Sequence, residues 1–151
     1  MGVIATEATI KSGFFQKALK DKNPSLDVEA KACPLFVPLV EEGWSNNAIT
    51  ARIAEAYLRE WKETPIDLLI LGCTHYPLLS PTIQQILRDT VLIDVTIATV
   101  KILEKYLTSN HLLNESGKIF QEFYVSGDVE KFNVAGKKIT DFSIQAQKVY
   151  W

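Results

Sequence analysis

Cys73, Thr74 and His75 place a thiol, a hydroxyl and an imidazole in three consecutive residues. A thiol becomes a useful acid or base when an imidazole or a helix N-terminus lowers its pKa. Imidazole itself exchanges protons near neutrality. The triplet comes after the apolar run Leu68-Leu69-Ile70-Leu71 and Gly72. That run reads as a buried strand, so the thiol is delivered beyond a strand's carboxyl end, where α/β sheets bind ligands. Each residue also has a plain structural reading. A cysteine after a buried strand is often a small core residue, and a histidine can be satisfied by a backbone carbonyl. The local pattern leaves both readings open.

Other groups surround this segment in the same ambiguous way. Thr6 and Thr9 bracket the exit of a β-rich run from Gly2 and could present hydroxyls to a carboxylate, or one of them could cap a helix. Glu41 and Glu42 lie in an otherwise apolar stretch, where one of them can simply be solvated. Asp94 ends a strand as either an active-site acid or an N-cap, with capping favoured. Cys33 sits between Ala32 and Pro34 among apolar residues and reads as core.

Composition narrows the function classes. The 151 residues carry a net charge of -2 with no basic cluster, so nothing proposes a nucleic-acid partner. No apolar run approaches the ~20 residues of a membrane span, and the N-terminus has no signal-peptide pattern. A cytoplasmic protein is expected. Two cysteines are too few for a disulfide framework. Together with His75 and His111 they match no zinc-ligand spacing, so no metal is expected.

The elements that must position these groups alternate. A strand at residues 2–6 leads to a helix over about 9–22, and Asn23-Pro24-Ser25 breaks it. A strand over 26–32, with Val28 and Ala30 on one face, precedes an apolar loop or short helix closed by Gly43. Ser45 is the expected N-cap of a helix over 46–62, with Ile49, Ile53, Tyr57 and Trp61 as its apolar stripe. Strand 67–71 comes next. Ser80 and Pro81 then look like an N-cap and first helical residue, opening a helix to about Arg88. A strand at 91–93 and a helix through Val100, Leu103 and Leu107 succeed it, then a polar loop over 108–118. A strand over 122–126, a short helix opened by Gly127-Asp128 and a strand over 144–150 close the chain. Alternation of this kind predicts an α/β fold with a parallel sheet.

Several segments together resemble glutamate racemase, in the aspartate/glutamate racemase superfamily. Leu71 through Pro77 matches the Gly-Cys-Thr-His-Tyr-Pro signature. Residues 2–9 resemble Gly-Val-Ile-x-Thr-x-x-Thr, and residues 32–41 resemble Ala-Cys-Pro-x-Phe-Val-Pro-x-Val-Glu. Leu92-Ile93-Asp94 and Phe123 through Gly127 also fit. The resemblance implies a three-layer α/β domain over 1–94, nearly complete. It also implies a segment over 95–151 that packs on a first domain not present in these residues.

The same resemblance implies interconversion of L- and D-glutamate by two cysteines on opposite faces of the substrate, without pyridoxal phosphate, metal or other cofactor. Cys73 would be one of the two and His75 its assistant. Thr74, Thr6 and Thr9 would bind substrate, and Glu41 would be a supporting carboxylate. Cys33 belongs to the Cys-Pro segment and is not the second base. The family's Asp-Ser pair, Pro-Tyr-Gly loop and Ala-Cys-Asn-Thr segment do not occur, and Val95 replaces a usual serine. A complete site would therefore need the N-terminal half. Glutamate would be the small-molecule partner, a homodimer is an open option, and the implied role is D-glutamate supply for peptidoglycan, cell-wall biogenesis and cell shape. Two other readings stand beside it: a non-catalytic fragment or small-acid-binding domain, and a cysteine hydrolase using Cys73 and His75.

Overall fold

The structure, a computed structural model, describes residues 1–140 and 142–150. The chain divides into two compact units, Met1–Glu104 and Lys105–Trp151. The first holds a four-stranded, wholly parallel sheet. Strand β1 (Gly2–Ala5) leads to helices α1 (Glu7–Lys11) and α2 (Phe14–Lys22), then to β2 (Glu29–Ala32). Helices α3 (Phe36–Glu41) and α4 (Ala48–Glu63) connect to β3 (Leu68–Leu71). A 3-10 turn (Tyr76–Leu79) and α5 (Ser80–Ile86) connect to β4 (Val91–Asp94), and α6 (Val95–Ser109) comes after it. The strand order β2-β1-β3-β4 confirms the α/β parallel-sheet class.

The two central strands show why the sheet forms. Gly-Val-Ile-Ala in β1 and Leu-Leu-Ile-Leu in β3 are continuous apolar runs, as strands covered on both faces require. All of β1 is buried and most of β3, whereas β2 and β4 are half-exposed edges. Register aligns the carboxyl ends: Ala5 faces Ala32, Ile4 faces Leu71, and Leu71 faces Asp94. Trp61, Phe36, Leu58, Tyr76, Leu79 and Ile83 fill the core beside the central strands.

Several expected boundaries move, each for a local reason. The helix expected over 9–22 is two helices, because Gly13 takes a left-handed conformation (φ 65°) that a continuous helix does not permit. The second strand begins at Glu29, leaving Val28 outside it. Asn47 rather than Ser45 caps α4, its side chain accepting from the Ile49 N–H at 2.8 Å. The Ser45 carbonyl instead accepts from Thr82.

The buried face of α4 is Thr50, Ala54, Leu58 and Trp61, while Ile49 is 50% exposed. Ile53 and Tyr57 pack only at the core's margin. Thr50 is tolerated inside because its hydroxyl donates to the Trp44 carbonyl at 2.7 Å. At α5 the 3-10 turn takes over the capping position, so Ser80 is already helical and Leu79 precedes it. Helix α6 exposes Ile97, Val100, Ile102, Leu103 and Tyr106.

The second unit contains β5 (Phe123–Val125), α7 (Val129–Ile139) and β6 (Ala146–Lys148), with β5 and β6 parallel. Asp128 caps α7, accepting from the Lys131 N–H at 2.8 Å. The closing strand is shorter than the expected 144–150. Among the described residues no helix is long and apolar enough to cross a membrane.

Candidate active site

The order β2-β1-β3-β4 places a switch point between β1 and β3: the chain first builds outward to β2 and then returns to the other side of β1. In open parallel sheets the crevice for ligands lies at that point, beyond the strands' carboxyl ends. Thr6 and Thr9 leave β1 there, and Cys73, Thr74 and His75 leave β3 there.

The backbone delivers Cys73 by a close fit. Gly72 extends the ladder past β3, its N–H donating to the Ile4 carbonyl at 2.8 Å. A Cβ at residue 72 would stand 2.9 Å from the Phe15 ring, 3.0 Å from the Ile4 carbonyl oxygen and 3.2 Å from the Ala5 Cβ. Only glycine lets the strand end this close to its neighbour. The Tyr76 N–H then donates to the Cys73 carbonyl at 3.1 Å, closing a turn that leaves Cys73 half-buried and Thr74 exposed.

His75 lies between two partners. Its Nδ1 is 4.0 Å from the Cys73 Sγ, and its Nε2 is 3.6 Å from the Glu41 Oε1 at the end of α3. The second distance is a close approach of carboxylate to ring nitrogen, longer than a formed hydrogen bond. Both side chains are about one-third exposed, at 31% for His75 and 38% for Glu41. A carboxylate on one ring nitrogen favours the proton there, which leaves the other nitrogen's lone pair for its neighbour. A proton on Nε2 therefore turns the Nδ1 lone pair toward the Cys73 thiol. In that tautomer His75 can take or return the thiol's proton.

The remaining predicted residues separate clearly. Thr6 caps α1, accepting from the Thr9 N–H at 3.4 Å, and the two threonine hydroxyls lie 3.0 Å apart. Both stay half-buried. Asp94 Oδ1 accepts from the Thr96 N–H at 2.7 Å, the capping alternative. Glu42 is exposed, while its neighbour Glu41 reaches His75.

Cys33 is 0% exposed, and burial pushes its thiol up to about 12 against the opposing pull of Lys31. It stays protonated and inert at neutral pH. A cavity of about 260 Å³ lined by Trp61, Lys62, Arg88 and Thr90 opens near the strands' amino ends and contains neither thiol nor imidazole.

Sequence reading places Tyr57 in an apolar stripe and Tyr76 in the signature, but gives no role to either hydroxyl. The Tyr76 hydroxyl donates to the Cys33 carbonyl at 2.9 Å, and the Leu35 N–H donates to the Tyr57 hydroxyl at 3.3 Å. Burial, with both thiols adding to it, pushes the Tyr76 phenol well above its usual range. A buried tyrosine normally needs a polar partner, and that requirement was the available signal.

Comparisons with known proteins agree with this layout. Residues 1–103 match the family model described as Asp/Glu/Hydantoin racemase. Glutamate racemase 2 of Caldanaerobacter subterraneus subsp. tengcongensis is 43% identical over 152 residues, covering 95% of this chain and 57% of that protein. The crystal structure of the Francisella tularensis glutamate racemase in complex with D-glutamate superposes with a TM-score of 0.89 at 37% identity, covering 99% of this chain and 57% of that one. A Bacillus anthracis glutamate racemase isoform gives a TM-score of 0.91 at 31% identity, covering 99% and 56%. The chain thus spans little more than half the length of these relatives. With residues 1–103 matched and the fold shared, the chain belongs to the Asp/Glu/hydantoin racemase family.

Proposed function

We propose that the chain carries one half of a glutamate-racemising site, with Cys73 as the thiol that adds or removes the α-proton on one face of the substrate. The observation behind this is the Cys73–His75–Glu41 row at the carboxyl end of β3, beside the switch point. The glutamate assignment draws on the relatives, one of which was solved with D-glutamate bound.

In this reading His75 holds the proton that Cys73 gives up, and Glu41 keeps the imidazole oriented. Thr74, exposed beside the thiol, and the Thr6–Thr9 hydroxyl pair hold the substrate's polar groups. The thiol transfers the proton itself, without pyridoxal phosphate or metal. Inversion needs a second acid on the opposite face. Cys33 is sealed in the core and protonated, so it does not serve. A second thiol belongs to the other half of the fold, for which the relatives' additional length leaves room. Residues 1–94 then form the domain that carries this half-site, and 95–151 pack against the complementary domain. The exposed apolar residues of α6 are surface suited to such packing. The corresponding cellular role is cytoplasmic supply of D-glutamate for peptidoglycan.

The test is racemisation of glutamate by a protein carrying both halves. Cys73→Ala should lower its rate by orders of magnitude, and inversion at the wild-type rate in that variant would remove Cys73 from the mechanism. The 151-residue chain alone should exchange at most the α-proton of one enantiomer for deuterium. Binding of glutamate without any exchange would favour a non-catalytic acid-binding domain instead.

A further inference from the structure

We propose that Tyr76 is a positioning residue that fixes the tautomer of His75 by bracing it against the loop carrying Glu41. The proposal deepens the role given to His75 above and rests on that reading. Tyr76 is the next residue in the chain after His75 and is fully buried. It makes two contacts with one short segment. Its hydroxyl donates to the Cys33 carbonyl at 2.9 Å, and its ring meets the Phe36 ring edge-on, with centroids 5.2 Å apart and planes at 84°.

Phe36 is the first residue of α3, and Glu41 is the last. One end of the brace is therefore a single peptide bond from His75, and the other is about one and a half turns of α3 from the carboxylate. The 3.6 Å approach of Glu41 to Nε2 depends on both ends staying in place. That approach selects the Nε2–H form, and the Nε2–H form turns the Nδ1 lone pair toward Cys73.

Tyr57 supplies a natural contrast. It also meets the Phe36 ring edge-on, at 5.3 Å, and its hydroxyl accepts from the Leu35 N–H. It belongs to α4, however, and is not tied to His75 through the chain. It steadies the same loop without linking it to the imidazole. A merely structural effect should accompany the loss of either hydroxyl, whereas a positioning effect should accompany the loss at Tyr76 alone.

The experiment is long-range 15N–1H correlation of the histidine rings in the 151-residue chain, at a pH where the imidazoles are neutral. His111, on an exposed loop, is the internal reference. The wild-type chain should show His75 mainly as Nε2–H. In Tyr76→Phe the ratio of Nε2–H to Nδ1–H should fall about fivefold, the weight of one ordinary hydrogen bond. Glu41→Ala should produce a similar fall, and the double variant should fall no further than Glu41→Ala alone. Tyr57→Phe should leave the ratio where it was.

A wild-type ratio in folded Tyr76→Phe, additive falls in the double variant, or an equal fall in Tyr57→Phe would each overturn the proposal. If Tyr76→Phe does not fold, Phe36→Leu weakens the same brace and should still lower the ratio, and an unchanged ratio there overturns it too. Glutamate racemisation is read separately. Loss of the racemase reading would leave the tautomer result standing, and failure of the brace would leave Cys73 chemistry untouched.

Discussion

Two loops leave the carboxyl end of the sheet on either side of β1, and each carries a cysteine within two residues of its strand. After β2, Cys33 turns inward: its N–H continues the ladder to Ala5, its carbonyl takes the Tyr76 hydroxyl, and its thiol is sealed among core side chains. After β3, Gly72 carries the chain past the edge, and Cys73 emerges half-buried beside an imidazole. Residue type and topological position are shared. The difference comes from the residues on the carboxyl side of each cysteine. Phe36, fully buried, anchors the first loop in the core, while the turn through Thr74 and His75 leaves the second open to solvent. Exposure of the thiol here is a property of the loop rather than of the cysteine.

The largest expected effect breaks this comparison at its chemical end. In a protein carrying both halves, Cys73→Ala should lower the glutamate racemisation rate by ~10²–10⁴, the range of a lost general acid–base group. Cys33→Ala should leave the rate per folded molecule unchanged. Polarimetry measures both, and equal losses would erase the distinction. At the structural end, Phe36→Ala should cost ~3–5 kcal/mol of stability in denaturant unfolding, because Phe36 is fully buried between Tyr57 and Tyr76. Ile49→Ala, on the exposed side of α4, should change stability by less than about 0.5 kcal/mol.

Gly72→Ala tests the close approach that opens the second loop. The new Cβ would press on the Ile4 carbonyl at 3.0 Å, and an overpacked site of this kind costs about 1–3 kcal/mol. The alkylation rate of Cys73 should change with it.

The first loop predicts a pH effect of known sign. The Cys33 thiol titrates higher in the folded chain, at about 12, than in the unfolded one. Its contribution is full below the unfolded thiol's pKa of ~8.5 and is lost as pH rises toward 12. The denaturation midpoint should therefore fall more steeply above pH ~9 in the wild type than in Cys33→Ala. A modest effect belongs to the cap on α1. Thr6→Ala should destabilise by ~1 kcal/mol, and a much larger loss would mean that the Thr6–Thr9 pair does more than cap.

The central strands were legible because buried parallel strands are written as unbroken apolar runs, and β1 and β3 are of that kind. Breaks that depend on backbone conformation were less visible. Gly13 reads as a tolerable helical glycine, yet its positive φ splits α1 from α2. The α4 face was misread because hydrophobicity ranks Ile49 above Thr50, while the fold buries Thr50 and satisfies its hydroxyl with a carbonyl six residues back. Around Cys73 the residue types were readable and their geometry was not. Spacing alone does not say that a histidine two residues on turns toward the thiol, or that a glutamate 34 positions earlier in the chain closes on its far side. The first contact is set by the conformation of a turn and the second by the packing of α3 beside it.

The difference between the two loops is tested most directly by native alkylation with iodoacetamide and then peptide mapping of both cysteines. One label per folded chain is expected, on Cys73, with Cys33 modified only after unfolding. Labelling of Cys33 at a comparable rate, or an inert Cys73, would contradict it.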